Sequence, residues 1–341
     1  MKQVLLSEGK LLNAFGKLNE TGYSTTLIKE YRRRDVKINK LFIKEKDYYY
    51  IANSRYALCF TVADNSLYGE IIVTFIDFEK NSYLKKVIRK SFSNGNIKMP
   101  NTSKDGDIVF VNKDISLKIF NDGVSRNIKC KVSHFDGVAD LECDINLEET
   151  TSDTSVIVSP FPNKKQFYYS QKINCMKVRG IARIGGRRLV FSDKDSFGLL
   201  NWTRGLFPSK TSFKFAYMSG IYNGKTIGLN FQKGIKNNNA TENCVYYNGR
   251  QMKVDIIDFY EGYNEKSSVD IMLPWDIRSN DKNINLVFTP MINVKNKKYS
   301  LLSGYSNIQL FGFYSGKIKF ENKILDIDNL IGCLEITKTR R

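Results

Sequence analysis

Val138-Ala139-Asp140-Leu141-Glu142-Cys143-Asp144-Ile145-Asn146-Leu147 alternates almost without a break. Ala139, Leu141, Cys143, Ile145 and Leu147 form one apolar set, and Asp140, Glu142, Asp144 and Asn146 form the opposite one. Successive side chains of a strand point to opposite faces, so the stretch predicts a half-exposed antiparallel strand over a core. The same period recurs elsewhere. Ile128, Cys130 and Val132 alternate with Lys129 and Lys131, and Ile227, Leu229 and Phe231 alternate with Thr226, Gly228 and Asn230. Tyr68–Phe78 is richer in apolar residues and reads as buried on both faces. Asn94-Gly95, Asp105-Gly106, Asp122-Gly123, Asn223-Gly224 and Asn248-Gly249 separate strand-like runs, and such pairs tolerate the positive φ of tight hairpins. No long segment carries an apolar stripe of helical period. The fold class is therefore all-β, as a sandwich or barrel.

The chain has 341 residues, 42% of them apolar and 13% aromatic, enough for two medium domains. Ser159–Lys165 contains Pro160 and Pro162 and interrupts both flanking strands, so the expected domains are 1–165 and 166–341. The first thirty residues and Lys338–Arg341 read as irregular or peripheral. No window approaches the roughly 18 apolar residues of a membrane span. The opening run is broken by Ser7, Glu8, Gly9 and Lys10, too soon for a signal peptide. These features predict a soluble, cytoplasmic protein. Residues 1–165 carry 26 basic and 21 acidic side chains, and residues 166–341 carry 27 and 14. That basic excess suits an anionic membrane surface as partner, although scattered lysines are also an ordinary solvated surface. No specific nucleic-acid partner is expected.

Six cysteines, none in a CxxC pair, and one histidine argue against a His/Cys zinc site, and no metal is expected. Cys130 and Cys143 fall on apolar phases, as small buried hydrophobes do. No glycine-rich phosphate loop is present, so no nucleotide cofactor is expected. Trp202 and Arg204 are two apart and share a face. Burying the indole is worth roughly 4–6 kcal/mol, whereas an Arg buried alone costs several. Arg204 therefore needs a carboxylate, with Asp193, Asp195 and Glu242 as the nearby candidates. The pair either fixes barrel geometry or orients a ligand. Glu242 is the first candidate for a general acid and His134, beside Asp136, the second. A pairing carboxylate and a turn histidine are the structural alternatives. Asn230, opposite the apolar phase of its strand, either faces solvent or lines a cavity. Tyr48 and Tyr217 are further candidates for lining a polar cavity, since buried phenols seek hydrogen bonds.

The run Asn201-Trp202-Thr203-Arg204-Gly205-Leu206-Phe207-Pro208 resembles the Asp-Trp-Gly-Arg-Gly-type motif of the family called domain of unknown function 2804. Ile43-Lys44-Glu45, Asp47-Tyr48-Tyr49, Ile227-Gly228-Leu229-Asn230, Thr241-Glu242-Asn243 and Phe311-Gly312-Phe313-Tyr314-Ser315-Gly316 fit the same family in order. Asn201 stands where an Asp is expected, which tells against proton transfer at that position. The resemblance implies two lipocalin-like antiparallel β-barrels packed together. It also implies a distant relation to carotenoid hydratases and tocopherol cyclases, which act without cofactors on hydrophobic unsaturated substrates. Fold does not decide function, and whether the chain is an enzyme stays open at this point. The expected function is binding of a hydrophobic small molecule, lipid or isoprenoid-like, in a barrel or between barrels. The alternative is a cofactor-independent hydratase, cyclase or isomerase.

Overall fold

The computed structural model describes residues 3–163, 165–235, 240–263, 268–299 and 304–340. The polar stretch Lys236–Thr241 lies largely outside them. Two curled antiparallel sheets make up most of the fold, beside a short parallel pair of Gly9–Lys10 with Lys29–Glu30. The first runs from its edge strand Ser82–Ser91 through Tyr68–Asp77, Tyr56–Asp64, Ile43–Ala52, Phe197–Leu206, Phe167–Ile184, Leu141–Glu148, Ser125–Val132 and Ile115–Asn121 to Ile108–Val111. The second runs from Arg250–Lys253 through Cys244–Tyr247, Lys225–Lys233, Lys210–Tyr222, Lys323–Arg340, Gly304–Phe320, Ile284–Tyr299 and Trp275–Ser279 to Ile257–Tyr260. Each sheet curls around its own apolar core, as expected of two lipocalin-like barrels. No helix among the described residues is long and apolar enough to cross a membrane.

Period-two patterning explains the register. Leu141–Glu148 alternates buried and exposed residues along its whole length. It pairs Cys143 with Cys130 and Ile145 with Ile128, so both apolar sets face the first core. Tyr68–Asp77 is buried on both faces. Asn223-Gly224 and Asn248-Gly249 take φ values of 49° and 73° and of 52° and 81°, the two-residue hairpin geometry that Asn-Gly favours.

Three expectations are corrected. The prolines of Ser159–Lys165 do not separate domains, because Ser155–Pro160 pairs directly with Phe167–Ile184 in the first sheet. A Pro at a strand end removes no needed donor, so the segment is a turn within one sheet. The chain passes between sheets at Phe207–Ser209, and a division at 165/166 would cut the first sheet. The N-terminal residues are not peripheral either, since Leu6, Leu11, Leu12, Leu27 and Tyr31 are buried in the first core. Lys338–Arg340 continues the last strand and pairs with Lys210–Ser212.

The parity of Leu141–Glu148 can be tested directly. Ile145→Ala removes a fully buried side chain and is expected to cost about 2–5 kcal/mol. Asp144→Ala on the opposite face should stay within about 0.5 kcal/mol. Urea unfolding of both variants measures the difference.

Candidate functional site

Phe197–Leu206 is buried throughout, so its two faces serve two interiors. Leu200, Trp202 and Leu206 lie in the first core, while Leu199 belongs to the aromatic cluster between the sheets. Asn201 and Thr203, on the second face, line an inter-sheet cavity of about 110 Å³. The first sheet adds Lys46, Tyr48 and Tyr168 to the wall, and the second adds Phe213, Phe215, Asn307, Gln309 and Glu335.

Trp202 and Arg204 do share a face, with the guanidinium carbon 4.4 Å from the indole centroid. That face is the interior of the first sheet rather than the cavity. The carboxylate partner of Arg204 is Asp47, at 2.6 Å, and not Asp193, Asp195 or Glu242. Asp193 pairs with Arg179 at the surface, and Asp195 accepts from the Ser196 hydroxyl. Arg204 Nη2 and Nε donate to the Pro100 carbonyl, and Nη1 also donates to those of Lys46 and Thr203. Every guanidinium nitrogen thus has an acceptor within the protein, as in a structural clamp, and Arg204 does not line the cavity. Burial pushes the Asp47 carboxyl above its usual range, and the pull of Arg204 only partly offsets it.

Glu242 reaches the cavity region. Its carboxylate is buried and accepts the Tyr168 hydroxyl at 3.0 and 3.1 Å and the Ser170 hydroxyl. Lys172 Nζ stands 3.5 Å from it and donates to Tyr168 Oη at 3.3 Å and to Asn201 Oδ1. Lys172 faces Asn201 across the strand pair, and Ser170 faces Thr203, so one register sets the first-sheet half of the cluster, and the segment before Cys244–Tyr247 brings Glu242 to it. Burial pushes the Lys172 ammonium below its usual range against the pull of Glu242. Burial, with the Glu242 charge, raises the Tyr168 phenol well above the usual range. Tyr168 therefore keeps its proton and can donate it only within a hydrogen bond. With an amide at 201, Glu242 remains the carboxylate nearest the Lys172 ammonium.

Tyr48 and Tyr217 meet across the sheets. The Tyr217 hydroxyl donates to Tyr48 Oη at 3.0 Å, and Gln309 Nε2 donates to both phenols at 3.0 and 3.2 Å. Asn230 faces inward and lines a side recess with Lys172, Asn201 and Glu242, its amide donating to Asn174 Oδ1 at 2.5 Å. His134 is elsewhere. It is exposed on a left-handed turn, its backbone N–H donates to Asp140, and Asp136 caps Val138 and Ala139 instead of orienting the ring. It lines no part of the cavity and drops out as a proton carrier for it.

Sequence reasoning missed Tyr168, Lys172, Gln309 and Glu335. Glu335 Oε1 accepts from Asn307 at 2.7 Å and Thr337 at 3.0 Å, while Oε2 has no hydrogen-bond partner among the described residues. Lys46 Nζ stands 3.8 Å from Oε1. For Glu335 the available signal was a lone charge inside an apolar run, Leu334-Glu335-Ile336, whereas Lys172 sits among the polar Ser170, Gln171 and Asn174 and gave none. Such a residue is unlike a solvated one only if both strand faces are buried, and local alternation does not show that.

The family described as "Domain of unknown function (DUF2804)" matches residues 2–340. No curated protein sequence matches the chain. Among solved structures, kievitone hydratase from Nectria haematococca is similar with a TM-score of 0.51 and 15% identity, covering 86% of this chain and 88% of that one. A putative AttH from Nitrosomonas europaea has a TM-score of 0.53 and 11% identity, over 86% and 92%. At these identities the likeness is one of fold.

The clamp role of Arg204 predicts a large stability loss. Arg204→Met leaves Asp47 buried without its cation and should cost about 3–5 kcal/mol. Asp193→Asn, which breaks the pair with the exposed Arg179, should cost under about 1 kcal/mol. Shifts of the urea midpoint measure both.

Proposed function

The chain belongs to the DUF2804 family, and we propose that it binds a hydrophobic small molecule, lipid or isoprenoid-like, in the cavity between its sheets. The observation that carries this reading is the wall itself. Phe207, Phe213 and Phe215 offer apolar faces, and Asn201, Gln309 and Glu335 are polar points among them. Charged Lys44, Lys46, Glu70 and Lys85 also line the wall, so the site is amphipathic and suits a ligand with an apolar body and a polar end, the polar groups fixing its orientation. A cavity of about 110 Å³ is small beside the roughly 300–1,000 Å³ of common ligand sites, so a long ligand would seat one end inside and leave the rest at the mouth. A cytoplasmic setting is proposed with it, supported by six free thiols, as reducing compartments keep them.

A second reading has its own support. Tyr168 lines the cavity and donates to the buried Glu242, so a proton-bearing group touches the ligand space with a carboxylate behind it. That arrangement suits a cofactor-independent hydratase, cyclase or isomerase in which a substrate proton passes to Tyr168 Oη as the phenol proton moves along its hydrogen bond to Glu242, and returns by the reverse path.

The binding reading predicts one-site uptake of a fluorescent fatty acid such as cis-parinaric acid. Thr203→Phe, which fills the cavity, should weaken it at least about tenfold, while His134→Ala should leave it unchanged. Fluorescence titration measures both, and equal binding by Thr203→Phe would refute the placement. The catalytic reading predicts that wild type converts a copurified ligand to a product of altered mass or retention. Glu242→Gln should retain the ligand unchanged, as followed by mass spectrometry and chromatography.

A further inference from the structure

At one end of the first sheet, three connections are bound into a single tip. The Phe92 N–H donates to the Leu67 carbonyl at 2.8 Å, the Asn94 N–H donates to the Ser66 carbonyl at 2.9 Å, and the Ser66 hydroxyl donates to the Lys40 carbonyl at 2.8 Å. Arg33 stitches them from beneath, donating to Glu45 at 2.7 Å and to the Ser66 hydroxyl at 2.8 Å. Phe92 is 74% exposed, Leu41 47% and Leu67 37%. The same segments carry the exposed cations Arg34, Lys40, Lys90 and Lys98. The carboxylates beneath, Glu45 and Asp64, are buried and engaged by Arg33.

Phe92 is doubly unfavourable where it stands. Its φ is +50°, a left-handed conformation that a bulky aromatic rarely adopts and that Asn or Gly takes readily. Its ring is also left in water. Neither feature serves the folded chain, which suggests that the side chain is kept for something outside it. The tip adjoins the cavity: Asn65 and Tyr68, which flank Ser66 and Leu67, both line it, as does Lys44.

We propose that this tip docks on an anionic lipid bilayer, with Phe92, Leu41 and Leu67 entering the headgroup region and the surrounding cations meeting the lipid charge. Apolar protrusions ringed by Lys and Arg have the chemistry of interfacial membrane binding, and a rigid nucleic acid offers no apolar phase for the three side chains. The surface that docks is thus in the first sheet, although the larger basic excess lies in the second half of the sequence. Docking would set the cavity mouth beside the bilayer.

The test is cosedimentation of the full chain with vesicles of phosphatidylcholine alone and of phosphatidylcholine with phosphatidylserine. Wild type should bind only the anionic vesicles and should lose at least about tenfold in affinity when salt is raised from 0.05 to 0.5 M. Phe92→Asn should weaken binding at least about fivefold while raising the melting temperature, because Asn suits the backbone and the exposed ring is gone. A merely structural Phe would instead lower the melting temperature when replaced. Lys40→Glu with Lys98→Glu should abolish binding, the melting temperature serving as the fold control. No binding to anionic vesicles at low salt overturns the proposal, as does binding that Phe92→Asn leaves intact. Equal, Phe92-independent binding to a DNA oligonucleotide would reassign the surface to general polyanion attraction and overturn it too. Thr203→Phe, which fills the cavity, should leave vesicle binding unchanged, so failure of the ligand reading would not remove this one.

Discussion

The molecule depends on burying both faces of one strand while pairing the charged groups that meet each face. Phe197–Leu206 and its neighbour Ile43–Ala52 sit between the first core and the second sheet. On the first-core face, Arg204 draws in Asp47 and three backbone carbonyls. On the other, Asn201 accepts from Lys172, which stands beside Glu242. A buried guanidinium without a carboxylate and a buried ammonium without acceptors are both costly, so each face holds the register of the other. A slip of one residue would place Arg204 among the aromatics of the cavity and Asn201 in the first core.

The second sheet is fastened by polar contacts as well as by packing. Phe167–Ile184 shifts register between Ile173 and Met176, and within that bulge Cys175 takes φ +57°. The bulge turns Asn174 outward, where its amide donates to the Met218 and Leu229 carbonyls, and the Cys175 N–H donates to Ser219. A bulge re-aims side chains in just this way. Two aromatic clusters then close on either side, one around Tyr48, Tyr50, Tyr217 and Phe311 and one around Phe161, Phe207 and Phe213. The cavity is the space these two clusters and the Lys172–Glu242 group do not fill. Among its polar points, Gln309 joins the two sheets through Tyr48, while Asn201 and Glu335 are hydrogen-bonded within their own sheets and face the common interior.

This arrangement also explains how the site and the tip come to be neighbours. Strand ends from the first sheet supply both, Asn65 and Tyr68 to the cavity and Leu67 to the tip. Ser66 joins them, with its N–H on Asp64 and its hydroxyl on the Lys40 and Ile43 carbonyls. A hydrogen-bonded tip beside the mouth of a cavity is a geometry suited to passing an amphiphile between a surface and an interior.

Local chemistry was legible from the sequence alone. Alternation decided strand type, Asn223-Gly224 and Asn248-Gly249 placed hairpins while Asn94-Gly95 lies in the connection between two edge strands that do not pair with each other, and the resemblance around Asn201–Pro208 named the family and the paired barrels. The shared face of Trp202 and Arg204 and the demand of Arg204 for a carboxylate were also readable, because side chains two apart share a face and a buried cation needs an anion, whereas alternation left open whether Asn230 faces solvent or a cavity. What the sequence could not say was which interior a face looks into. Asp47 lies 157 positions from Arg204, and nothing along the chain ranks it above Asp195 or Glu242. Pro160 looked like a domain break because a strand-end proline and a linker proline read alike. Only tertiary structure decided that Trp202 and Arg204 serve the core while Asn201, Tyr168 and Lys172 serve the cavity, since period two fixes the alternation of faces, and the partner sheet fixes what each face meets.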